Sequence, residues 1–199
     1  MTFDVAEATE AGAGGDDSPA SPVKYKGIAI LGSHPATVAM APFDDPEWLI
    51  YACSPHNVEK RKLPRVDEWF EIHVPVAHQT RGIEYVMALK EMPFVWMRDE
   101  FAMKHFPGAR LYPDRAMREE FGPFTFTSSI AFMLAKAIKD CELLGIKEIG
   151  LWGIMQASPN EYAYQRPGIQ NLIWEAARRG VKVKAPDISK LFEPPPEDF

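Results

Sequence analysis

The chain has 199 residues, 46% of them hydrophobic and 12% aromatic, with a net charge of −6. That is material for one domain with a substantial core, and no run of about 18 apolar residues is present to span a bilayer. The charge sits at the ends: residues 1–23 carry five acids and no Lys or Arg, 187–199 a net −3, and 24–186 a net +2. This balance neither announces a nucleic-acid surface nor excludes a local basic cleft.

Residues 1–23 are rich in Ala, Gly, Ser, Pro and acids and read as a disordered acidic tail. They lack the basic start and apolar stretch of a secretory signal. Cys53 and Cys141 have no CxxC partner and read as two free thiols. A cytoplasmic protein without a membrane partner is the expectation. A Rossmann-like domain is expected over 24–190, followed by a Pro-rich acidic tail over 191–199.

Continuous apolar runs predict seven strands, at 27–32, 48–53, 69–73, 94–97, 109–112, 148–153 and 181–184. Unbroken runs, rather than strict alternation, suit strands covered on both faces. Helical spacing appears over 82–90, over 128–144 and over about 168–179. In the second of these, Ile130, Leu134, Ala137, Ile138 and Cys141 share a face; in the third, Ile169, Leu172, Ile173 and Ala176 do. Strand–helix–strand alternation with right-handed crossovers predicts a single α/β, Rossmann-like domain, its sheet mainly parallel, with helices on both faces.

Such sheets bind ligands beyond the carboxyl ends of their strands, so the residues after each strand are the candidates. Gly32, Ser33 and His34 follow the first strand and could bring backbone amides to a phosphate or sugar; an ordinary turn capped by Ser33, with Pro35 in the first helical turn, is the alternative. Ser54, Pro55, His56 and Asn57 follow the second, where Asn57 could meet a base or ribose or simply cap a helix. His73 ends the third, with His78 nearby. These histidines have no carboxylate or thiolate at metal-ligand spacing, so no metal is expected. Thr127, Ser128 and Ser129 open the longest helix, where free N–H groups and the helix dipole favour an anion. Ser128 lacks a Gly-x-Ser-x-Gly elbow and does not read as a nucleophile. The polar, aromatic loop over 153–167 offers Tyr162, Tyr164 and Arg166 to a pyrophosphate or sugar phosphate, or as loop packing and a solvated arginine.

The segment TSSIA at 127–131, followed by GIKEIGLWGI at 145–154, resembles the "TSG … G-x-KEI-x-L-x-GID" stretch of small bacterial sialyltransferases. A similar stretch occurs in motility accessory factor proteins with a related Rossmann-like domain. Tyr162 and Tyr164 fall where those sialyltransferases carry donor-phosphate tyrosines, the first turn is similar to their "GNGPS", and 53–57 to their asparagine-bearing loop. Met155 stands where the family has the aspartate of "GID", and Ser33 or His34 where it has the asparagine of the first turn. The family's catalytic histidine has no counterpart after the tyrosines. The segments LPRVDEWFEIH at 63–73 and YQRPGIQ at 164–170 are also similar to segments of compact phage-encoded proteins.

The resemblance implies a transferase that binds a nucleotide-activated sugar as donor and moves its glycosyl group to a hydroxyl acceptor, with no other cofactor. Gly32, Ser33, His34, Thr127, Ser128 and Ser129 would hold nucleotide and phosphate, and Asn57 the base or ribose. Tyr162, Tyr164 and Arg166 would stabilise the leaving phosphate. His56 and His73 are the candidate bases. A phage origin would add nucleic acid or a nucleotide pool to the acceptors, and a homo-oligomer is compatible with the sequence. The rival expectations are a nucleotide or nucleoside hydrolase, an N-glycosidic transferase, or a nucleotide-binding module without turnover.

Overall fold

The computed structural model of the chain describes residues 25–58, 63–73, 82–156, 158 and 164–193. The expected acidic tail over 1–23, His78, Tyr162 and residues 194–199 lie outside them.

All seven predicted strands form, and all are parallel: β1 (Gly27–Leu31), β2 (Trp48–Ala52), β3 (Glu68–Glu71), β4 (Val95–Met97), β5 (Ala109–Leu111), β6 (Glu148–Trp152) and β7 (Lys182–Lys184). They make one sheet of order β5-β4-β3-β2-β1-β6-β7. The order reverses at β1, which has β2 on one side and β6 on the other. The helices are α1 (Pro35–Val38), α2 (Ile83–Glu91), α3 (Glu100–Met103), α4 (Asp114–Phe121), α5 (Ser129–Leu144) and α6 (Arg166–Arg178).

Alternation along β1 divides two cores. Ile28 and Ile30 pack with α5, α6 and the α4 residues Met117 and Phe121. Ala29 and Leu31 face Val38 of α1 and Tyr85 and Leu89 of α2 on the other side. Period-two side chains from a central strand feed both layers, which is why its sequence carries no polar position. The edges are polar instead: β7 presents Lys182 and Lys184, and the Lys184 ammonium sits 4.7 Å from the Trp48 ring while pairing with Glu148.

Helix α5 begins with Ser128 as N-cap, its Oγ accepting from the Ala131 N–H at 3.3 Å, and ends at Gly145 with φ 71°. Its buried surface exceeds the single stripe its periodicity suggests, because α4 and α6 cover the flanks left by the sheet. Two differences from the sequence reading follow from tertiary packing. Helix α4 is not among the three predicted helices; Met117 and Phe121, one turn apart, anchor it. Leu191, assigned to the terminal tail, is 1% exposed and docks into the α5–α6 core.

Candidate functional site

The ends of β1 and β6 meet backbone to backbone. The Gly32 N–H donates to Trp152 O and the His34 N–H to Gly153 O, each at 2.8 Å. A Cβ on Gly32 would lie 2.3 Å from Gly153 O, so only glycine permits this approach. Buried Thr37 closes the junction by accepting from the Gly153 N–H at 2.8 Å. Above it a cleft of about 1100 Å³ runs across the carboxyl ends of the strands, from the loop after β6 to the turn after β4. This is the topological switch point at which doubly wound sheets bind ligands.

Eight of the expected site residues line this cleft: Gly32, Ser33, His34, His56, His73, Thr127, Ser128 and Ser129. They come from three separate strand ends and the start of α5. The loop after β6 joins them through Ile154, Met155 and Gln156, and Gln165 returns to the rim. Thr127 Oγ1 donates to Gln165 O at 3.3 Å, so the start of α5 and the end of that loop share one pocket. Gly168 makes this contact close: a Cβ there would stand 2.2 Å from Thr125 O.

Four expectations change. Asn57 is 1% exposed, and its side-chain N–H groups donate to Gly32 O at 3.0 Å and Cys53 O at 2.7 Å. It braces the β1 and β2 loops instead of facing a base. Arg166 is 3% exposed and donates to Glu193 O beneath the C-terminal segment, away from the cleft lining. Tyr164 is 71% exposed and also absent from the lining. The amides of Gly32 and His34 hold β6 rather than a phosphate. His34 Nδ1 itself accepts from the Ala36 N–H at 3.3 Å, capping α1.

His73 is built differently from the other cleft histidines. Its Nδ1 lies 2.6 Å from Glu71 Oε1, and its backbone N–H donates to the same oxygen at 3.1 Å. Glu71 is 1% exposed, and its other oxygen accepts from the Tyr85 hydroxyl, which in turn accepts from Trp69 Nε1 at 3.2 Å. A buried carboxylate fixed from both ends thus orients an imidazole whose side chain is 43% exposed toward the cleft. With Nδ1–H given to the carboxylate, Nε2 is left with its lone pair outward. The sequence signal was Glu-Ile-His: positions two apart leave a strand on the same side.

Arg98, after β4, is a further cleft residue. One guanidinium amine donates to Asp114 at 2.9 Å and the plane lies 4.8 Å from the Phe132 ring centre. No Asp or Glu is among the described residues of the lining. The N-terminus of α5 also lines the cleft, and there the amides of Ser129 and Ile130 have no acceptor within the helix. Gln156 is 4% exposed with φ 52° and a buried Oε1 that has no partner among the described residues. The cleft therefore favours a ligand with an anionic centre and at least one donor.

No known family model, curated protein or solved structure matches the chain. Among the described residues, no helix is long and apolar enough to cross a membrane.

Proposed function

We propose that the protein binds a nucleotide-activated sugar in this cleft and transfers the glycosyl group to a hydroxyl acceptor, with His73 as general base. The observation that carries the reading is the Glu71–His73 pair, which opens onto the same cleft as the N-terminus of a 16-residue helix. One element removes a proton and the other receives negative charge. Transfer from an activated donor needs both.

In the step itself, the acceptor oxygen bonds to the anomeric carbon as its proton passes to His73 Nε2. The anomeric C–O bond breaks, and the nucleotide leaves with that electron pair. The charge on the departing phosphate is met by the Ser129 and Ile130 amides, the α5 dipole and the hydroxyl of Ser129. Glu71 holds the ring in the tautomer that accepts and stabilises the imidazolium that forms. At about 1100 Å³ the cleft exceeds the roughly 300–1,000 Å³ of ordinary small-molecule sites, in keeping with a two-part donor plus acceptor.

The test is thermal stabilisation by CMP-, UDP-, GDP- and ADP-linked sugars, followed by product analysis. At least one donor should raise the melting temperature and yield a transferred glycosyl group. His73→Asn should keep donor binding and lower turnover by about 10²–10⁴-fold, the ordinary contribution of a positioned base. An unchanged melting temperature across the panel would refute nucleotide binding. Tight binding without product over hours would leave a binding module, and release of free sugar or base alone would make the protein a hydrolase.

A further inference from the structure

Arg98 has a role that the transfer step does not use. His73 and Arg98 follow the carboxyl ends of neighbouring parallel strands, where the register Glu71 opposite Met97 sets Arg98 one residue short of His73. Both line the cleft. Asp114 accepts from Arg98 and from Arg118, both at 2.9 Å, so one carboxylate serves two guanidinium groups. Arg118 directs its remaining donor to Pro123 O at 3.0 Å and lies 5.1 Å from the Phe126 ring. Asp99, the adjacent acid, accepts from the Phe101 N–H at 2.8 Å. Arg98 Nε is buried and has no acceptor among the described residues. Arg98 is the one Arg or Lys among the described residues of a lining without Asp or Glu, and it shares its carboxylate with Arg118, so its fork is placed to meet an anionic ligand.

We propose that the acceptor carries a phosphoryl group and that Arg98 binds it, placing the acceptor hydroxyl against His73. The inference rests on the transfer reading in taking His73 as the acceptor's base. The α5 N-terminus would hold the donor phosphate, and Arg98 a second, separate anion, so substrate choice would depend on charge at the acceptor.

The experiment is a titration of the full-length, ¹⁵N-labelled chain with inorganic phosphate at constant ionic strength, followed by NMR. In the wild type, the His73 ring signals and Arg98 Nε–H should move together with a millimolar Kd. Movement confined to the Ser129 and Ile130 amides would place phosphate at α5 only and overturn the proposal. Arg98→Gln should weaken the His73 response at least tenfold, and Arg98→Lys, which keeps the charge but not the fork, by a smaller factor. The spectra of both variants report directly whether they are folded. Ribose 5-phosphate should reproduce the shift and ribose should not. Still His73 signals at tens of millimolar phosphate, or equal affinity in wild type and Arg98→Gln, would refute the site. A silent nucleotide-sugar panel alongside a responding His73 would retire the transfer reading while leaving the Arg98 site. A responding panel without any Arg98 dependence would do the reverse.

Discussion

Replacing Tyr85 by Phe removes one oxygen from the middle of the chain of contacts that ends at the proposed base. Tyr85 is 0% and Trp69 1% exposed, so water cannot replace what is lost. Two consequences add. The Trp69 indole N–H loses its acceptor, and a stranded buried donor costs about 1–3 kcal/mol. Glu71 loses its phenolic donor, and a hydrogen bond to an ionised group contributes about 1.5–3 kcal/mol. Partial relaxation of the pocket reduces the total to about 3 kcal/mol. For a domain of this size each kcal/mol moves the Tm by about 2–4 °C, so a fall of about 6–12 °C is expected. Urea unfolding followed by tryptophan fluorescence, with calorimetry, measures both quantities. Tyr164→Phe, at an exposed site, should change stability by less than about 0.5 kcal/mol. A double cycle with Glu71→Gln should be non-additive by about 1 kcal/mol or more, because the two groups share a hydrogen bond. A Tyr85→Phe loss below about 0.5 kcal/mol, or strict additivity, would show that the hydroxyl does not brace Glu71.

Ser128→Asp retains a good N-cap but fixes a negative charge where the donor phosphate is proposed to sit. Stability should stay within about 0.5 kcal/mol while ligand-induced thermal shifts disappear. Gly32→Ala should prevent folding or cost more than about 3 kcal/mol, since its Cβ meets the Gly153 backbone; Gly145→Ala, with nothing within 4 Å, should cost only about 1 kcal/mol for its left-handed φ, as read by urea unfolding. Arg178, with Arg179, holds the Glu175 carboxyl down to about 2 from its ordinary 4.5. Because the folded value is the lower one, this contribution is complete above about 4.5 and fades as the pH falls toward 2, so Glu175→Gln should flatten that acid limb in a stability–pH series.

The sheet was legible because strands buried on both faces read as near-continuous apolar runs, and GIAIL and EIGLW have almost no alternative use. Helix α4 was not, since DRAMREEF hides two anchoring residues among five charges. The location of the cleft followed from topology alone: whatever succeeds the strands of a doubly wound sheet stands at its rim. Individual roles did not follow. Arg166 has the composition of a phosphate ligand, and only the return of the chain at Glu193 buries it. Asn57 is likewise turned inward by carbonyls 25 and 4 residues away. Glu71 and His73 share a side of β3 by simple alternation, whereas Tyr85, which fixes Glu71, comes from a helix 14 residues on. Arg98 follows β4 as His73 follows β3, and the same topological rule reaches both.

The two halves of the cleft are built from opposite materials, and this bears on what moves during binding. At β1 and β6 the walls are backbone: glycines in contact, amides already bonded, and Thr37 buried beneath them. Such a junction has no rotamers to change and serves as a fixed floor. At β3 and β4 the walls are side chains, each fixed by a charged partner behind it, Glu71 for His73 and Asp114 for Arg98. A charge held by a buried or half-buried partner is oriented before the ligand arrives, which limits the entropy lost on binding.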